Sequence, residues 1–196
     1  HNYLEDNDSC DIVLYDEGEA GLLILRNLID SNIIKRSTNP VLGTSILVQG
    51  SRNRVTNTHH HHEGAIGNYA AFNMFHADES SISGCSASNT VTPLSFSLTS
   101  DFVVEDFKGY GCSNVATAIA GSGIVIRNSE FTHGGVGASD IGIDNTSATG
   151  KNFYEGNKFD GFHTGIRIAN EAVALYRNTT ISSTFAGIRK STKDIS

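Results

Sequence analysis

The stretch EAVALYRNTTISSTFAGIRK, Glu171 to Lys190, decides the fold. An apolar segment stops at Arg177-Asn178, restarts at Ile181 and ends in Ala-Gly-Ile-Arg. A helix is disfavoured, because Ser, Thr and Asn side chains compete for backbone hydrogen bonds and Gly187 adds backbone entropy. The segment reads as two short strands joined by a tight corner at Asn178.

The corner recurs upstream. Tyr176-Arg177-Asn178-Thr179-Thr180-Ile181 is matched by Tyr154-Glu155-Gly156-Asn157-Lys158-Phe159 and by Ile126-Arg127-Asn128-Ser129-Glu130-Phe131. Weaker copies are Val104-Glu105-Asp106, Ile82-Ser83-Gly84, Val55-Thr56-Asn57 and Leu25-Arg26-Asn27. The pivots Asn27, Asn57, Gly84, Asp106, Asn128, Gly156 and Asn178 are thus 30, 27, 22, 22, 28 and 22 residues apart. All are Asn, Asp or Gly, the residues that tolerate a left-handed backbone. Two positions before each stands a strand former able to point inward, such as Val104, Ile126 or Tyr154. A second column, Ile119, Ile143, Ile166 and Ile188, follows Ala or Gly each time and extends upstream through Ile46, Phe72 and Leu98.

A period near 22 residues, with short strands and a left-handed corner in each, is one turn of a solenoid. Such a coil buries its apolar face only by stacking on its neighbours. The expected fold is all-β: a single-stranded parallel β-helix of about seven coils, roughly 22–28 residues each, with variable loops inserted between strands. Residues 21–190 form this domain, the acidic residues 1–20 an N-terminal capping or linker segment, with a strand at Asp11 to Tyr15, and residues 191–196 a polar tail. The chain begins at His1, as expected of a processed product or a piece of something longer. Leucine-rich repeats have a similar period, but no coil carries their Leu spacing, and propeller units need about 40 residues.

The corners IRNSEF, YEGNKF and YRNTTI resemble those of the right-handed parallel β-helix superfamily, the pectate-lyase-like proteins and phage tailspikes, from about Gly21 to Lys190. The resemblance implies an extracellular or virion-surface protein that binds polysaccharide and acts on it as a lyase or hydrolase. Fold alone does not fix activity. The alternative is a non-catalytic fibre, adhesin or virion decoration protein.

A net charge of −7 and the absence of any Lys/Arg run argue against a nucleic-acid partner. No apolar run approaches the roughly 20 residues of a membrane helix. Cys10, Cys85 and Cys112 lack metal-ligand spacing and read as structural thiols; no cofactor is expected. His59 to His62 alternate across a strand, so two face each way. No further Cys or His completes a ligand set, so the run reads as an exposed polar strand or loop, with contact to another subunit as the alternative, and no metal is expected.

The chemistry is expected on the Gly-Ile strand. If Ile143, Ile166 and Ile188 point inward, Asp144, Arg167 and Arg189 point outward, and Asp140, His163 and Phe185 lie three positions earlier. Stacking at about 4.8 Å sets Asp140 beside His163, a pair able to move a proton near neutral pH and hence the candidate catalytic residues. Asp144, Arg167, Arg189 and Phe185 are the candidate substrate-binding residues. Gly142, Gly165 and Gly187 would leave a shallow trough. Sugar stacking would fall to Tyr69, Tyr110, Phe162 or Phe185. Asp140 and Asp144, about 13 Å apart along one strand, are too distant for the carboxylate pair of a glycosidase. An outward apolar column, Ile24, Val103, Val125, Phe153 and Leu175, points to self-association as a homotrimer.

Overall fold

The computed structural model describes residues 2–5, 11–14, 26–37, 44–63, 67–134, 140–169, 173–177 and 180–191. These hold strands and no helix, and neighbouring strands pair in parallel. The protein is a parallel β-solenoid.

Each coil contributes to three stacks. Sheet 1 comprises Leu28–Asp30, Arg54–Thr56, Ser81–Ser83, Val103–Glu105, Val125–Arg127, Lys151–Glu155 and Val173–Arg177. Sheet 2 comprises Asn2–Glu5, Asn32–Arg36, His59–His62, Ser86–Ser88, Lys108–Cys112 and Glu130–His133. Sheet 3 comprises Ile12–Leu14, Thr44–Gln49, Gly67–Phe75, Thr90–Ser100, Val115–Ser122 and Ile141–Asn145. Lys158–Ala169 and Thr180–Ser191 run through sheets 2 and 3 without a break and join them. The coil count differs slightly from the expected seven. About five turns are complete, and the coils at either end lie only partly within the described residues. Asn2–Glu5 and Ile12–Leu14 add a rung to sheets 2 and 3, pairing with Asn32–Lys35 and Ile46–Val48.

The corner from sheet 1 to sheet 2 is the one expected from the repeat. Asn57, Gly84, Asp106, Asn128 and Gly156 all have positive φ, from 47° to 63°. Their left-handed backbone turns the chain from sheet 1 into sheet 2 within one residue. The residues two earlier, Val55, Ile82, Val104, Ile126 and Tyr154, stack in register and are buried. The pivots themselves lie outside. The polar ladder stands one residue later, on the inside: Phe107 N donates to Ser129 Oγ (3.1 Å) and Ser129 N donates to Asn157 Oδ1 (3.0 Å).

Three register expectations need correction. Asn27 is not the first pivot: Ile29 stacks on Val55, so Ser31, with φ of 56°, takes that place. Arg26, with φ of 60°, belongs to a second left-handed corner, entering sheet 1, with Arg52, Glu79, Asp101 and Gly123. Here Asn27 N donates to Asn53 Oδ1 (2.9 Å) and Ile124 N to Asn152 Oδ1 (2.8 Å). Two corners of similar composition let one be mistaken for the other. In sheet 3, Ile143 and Ile166 are direct neighbours, as expected, but Thr117 rather than Ile119 precedes them. Ile119 pairs with Phe96 in the next inward column. Leu94, not Leu98, stacks on Phe72; Leu98 is 59% exposed at a bulge with φ of 51°. Asn178, Leu25, Ile24 and Cys10 lie outside the described residues.

The interior is filled by columns of Ile, Val and Phe. Phe107, Phe131 and Phe159 stack at 5.7 and 5.1 Å between ring centres. Gly109 makes room for this: a Cβ there would lie 2.7 Å from the Phe131 ring. Cys85 and Cys112 are free and buried, and burial pushes their thiols up to about 11 and about 12, as inert structural thiols require. Asn145, which opens a glycosylation-like Asn-Thr-Ser, is fully buried. Its Oδ1 accepts from Tyr154 OH (2.8 Å) and Asn152 Nδ2 (2.9 Å).

Coil-to-coil variation concentrates beside sheet 3. Between sheets 2 and 3 the connections run from the single residue Asn89 to the segments 37–43 and 134–140. The coil carrying Asp140 and Asp144 also has one of the two longest described connections out of sheet 3, residues 146–150, equal in length to 76–80. Insertions on both sides of one rung mark where a rigid stack is free to vary.

Candidate functional site

The outer face of sheet 3 forms the candidate site. Its strand alternation turns Leu47, Asn73, Ser95, Ala118, Asp144 and Arg167 outward in one register column. A shallow depression of about 110 Å³ lies over Ser95, Ser97, Ala118 and Ala120, with Asp144 and Ser147 at its edge. The small side chains arise because successive coils place Ser or Ala at these positions. Phe75, half-buried on the same face, pairs with Ser97, which pairs with Ala120. The sequence reading missed Phe75. Its signal was parity, since it alternates with the inward Phe72 and Met74.

The register places Asp144 directly beside Arg167, as expected. The contact is bidentate, Nη2 to Oδ2 at 2.5 Å and Nε to Oδ1 at 3.2 Å. Partial burial of Asp144 pushes its carboxyl up. Hydrogen bonds from Arg167 and Thr146, together with the Arg167 charge, outweigh this and hold it below the usual carboxylate range. Arg189 continues the column next to Arg167. Phe185 lies in the strand Thr180–Ser191.

Asp140 differs from expectation. The backbone sets it beside His163, for Thr164 N donates to Asp140 O at 2.9 Å. The Asp140 side chain, however, is buried rather than facing the trough. Its Oδ2 lies 2.6 Å from Nε2 of His133, whose side chain is only 5% exposed. His133 ends a sheet 2 strand in the same coil, and the chain returns to Asp140 after the intervening connection. Sequence spacing within single strands could not show this pairing, because it crosses a corner. His163 is half-exposed on the following coil.

Gly142 does not open the trough as expected. A Cβ on Gly142 would lie 2.5 Å from Gly165 O and 2.8 Å from the Phe159 ring, so the protein itself fills that space. Phe162 is fully buried and cannot stack on a ligand; it makes an edge contact with His133 at 5.5 Å. Tyr110 is 40% exposed, but on sheet 2. The side chains of Tyr69, Phe185 and Arg189 lie outside the described residues.

The histidine run splits by alternation: His59 and His61 are exposed, His60 and His62 buried. Among the described residues, no group of three or more His, Cys, Asp or Glu side chains is placed to hold a metal ion. Comparison with protein-family models and with curated proteins finds no match to this chain.

Proposed function

We propose that the chain is an extracellular or virion-surface β-helix, of the pectate-lyase-like or tailspike kind, that binds polysaccharide along the outer face of sheet 3 and acts on it at its Asp140 end. The observation that carries this reading is the depression over Ser95, Ser97, Ala118 and Ala120, flanked by Asp144 and Ser147. An open, rigid face suits a chain-like ligand, its hydroxyls suit sugar contacts, and Phe75 offers a ring for stacking. Arg167 and Arg189 would face the carboxylate of an acidic sugar, whose neutralisation lyase chemistry requires. Asp140 and His163 are the proposed proton-transfer residues; the Asp140 carboxylate, buried against His133, would reach the outer face only by leaving that contact.

The test is a panel of acidic and neutral polysaccharides, scored for new reducing ends and for unsaturated uronate absorbance. Asp140→Asn and His163→Ala, each checked for an unchanged circular dichroism spectrum, are expected to lose more than about tenfold in rate. Variants that keep the full rate overturn the site. A second reading is a non-catalytic rod, fibre or adhesin. It is favoured by the engagement of both sheet 3 carboxylates, Asp140 by His133 and Asp144 by Arg167. Silence across the whole panel, in cleavage and in binding, selects it.

Either reading includes self-association, for which we propose a homotrimer packed through sheet 1. Val103, Val125 and Phe153 stand in register on its outer face, with Leu175 next in line. An apolar column along a rod needs a cover. Light scattering at micromolar concentration is expected to give three times the chain mass, and a monomer mass rejects the trimer.

A further inference from the structure

We propose that the interior level of His60 and His62 is an acid-operated latch: protonation of these two buried imidazoles opens the coils that hold them, locally and reversibly, while the rest of the solenoid stays folded. His60 and His62 are the inward residues of the strand His59–His62 and are 1% and 3% exposed. His60 lies in register between Ile34 and Ala87, and His62 is in register with Arg36, which is fully buried. Alternate residues of a strand stand about 6.6 Å apart and neighbouring strands about 4.8 Å, so the two rings and the guanidinium share one small interior volume.

The groups around this level accommodate one cation and not three. Arg36 is always charged, and the Asp11 carboxylate answers it at 2.8 Å. His60 Nε2 meets the Ser45 hydroxyl at 3.0 Å, a neutral group that cannot offset the charge of an added proton. The strand Asn32–Arg36 also carries Lys35 on its outer side, held by Glu63. The strand Ser86–Ser88 presents Ala87 inward, preceded by the buried Cys85 thiol, and the strand Thr44–Gln49 carries no titratable side chain. His59 and His61 stand on the outer side of the same strand. Two protons taken up here would leave Arg36, His60 and His62 all cationic beside the Asp11 carboxylate. Burial holds the pKa of His60 down to about 3, helped by the charges of His62, Arg36 and His61. The closed coil therefore refuses a proton that the opened coil accepts below about pH 6.5. Closure is complete above that pH and is lost as pH falls toward 3. His133, also buried, differs in having the Asp140 carboxylate 2.6 Å away.

The architecture confines the opening. A solenoid coil contacts only its neighbours, so one level can open without the rest. Farther along the stack the His60 column continues through Ala87, Gly109, Phe131 and Phe159, none of which takes up a proton. Leu28–Asp30 is the terminal strand of sheet 1 among the described residues, so opening at this level breaks fewer stacked rungs than opening midway. The inference stands apart from the polysaccharide reading, which concerns the outer face of sheet 3.

Hydrogen exchange of the full chain, read by mass spectrometry at about pH 7 and about pH 5 and corrected for the intrinsic rate at each, tests the latch. Protection of the amides in 28–36 and 54–62 is expected to fall about 25-fold from the proton at His60 alone, whereas that in 115–127 changes less than about twofold. Return to neutral pH is expected to restore it. His59→Gln/His61→Gln, which removes the exposed rings, is expected to keep the fall, and His60→Gln/His62→Gln to abolish it. In the wild type by itself, an equal fall along the whole chain, no fall at the lower pH, or no recovery overturns the latch, whether or not the buried variant folds. A fall that persists in His60→Gln/His62→Gln, or that vanishes in the exposed double variant, overturns the assignment to the buried pair.

Discussion

Replacing Asp11 by alanine is expected to destabilise the protein by about 3–5 kcal/mol, whereas replacing Asp11 and Arg36 together by leucine and methionine is expected to cost little or nothing. Arg36 is an inward residue of a sheet 2 strand, and its side chain is fully buried. Its Nη1 reaches Asp11 Oδ2 at 2.8 Å, and the Asp11 side chain is fully buried as well. Two charges taken out of water are tolerable as a pair. A buried guanidinium that loses its carboxylate is not, because it cannot lose its proton to escape. Urea denaturation of wild type, the Asp11→Ala and Arg36→Met single variants, and Asp11→Leu/Arg36→Met measures this. Single variants that unfold with the wild-type midpoint would show the pair to be solvated.

The second large effect is acid sensitivity arising at His60. This imidazole is 1% exposed, stacked between Ile34 and Ala87, with Ser45 Oγ at 3.0 Å from Nε2. Burial pushes its pKa down to about 3, helped by the nearby charges of His62, Arg36 and His61. Asp11, paired with Arg36, is the acidic group of this cluster. The sign follows from linkage. Below about pH 6.5 the unfolded chain takes up a proton at His60 that the folded chain refuses. Stability is therefore complete above pH 6.5 and is lost by about 1.4 kcal/mol per unit as pH falls toward 3. Between pH 6.5 and 4.5 the loss amounts to about 3 kcal/mol from this one side chain. Urea unfolding in a buffer with a metal chelator is expected to show this slope in wild type and a flatter one in His60→Gln. Parallel pH profiles for the two chains would remove His60 as the cause.

The sequence alone determined the architecture. A left-handed corner tolerates few residue types and an inward position demands apolar ones, so both leave a periodic trace in composition. That trace located Asn57, Gly84, Asp106, Asn128 and Gly156 in one corner, and Val55, Ile82, Val104, Ile126 and Tyr154 inside it. It also placed Asp144 against Arg167, because an in-register parallel stack turns a repeat alignment directly into neighbours. What it could not determine was anything that crosses between sheets. Asp140 meets His133 rather than an open trough because the chain doubles back through a connection whose length follows no period. Gly142 looked like part of an opening, but its missing side chain admits the Gly165 backbone and Phe159. Arg36 and His60 occupy inward positions that the pattern reserves for apolar groups, and Asp11 and Ser45, brought in from sheet 3 and its edge, meet them there. Local sequence fixes backbone conformation and facing within a strand. Contacts across the interior depend on where three sheets meet, which is settled by packing and not by any one coil.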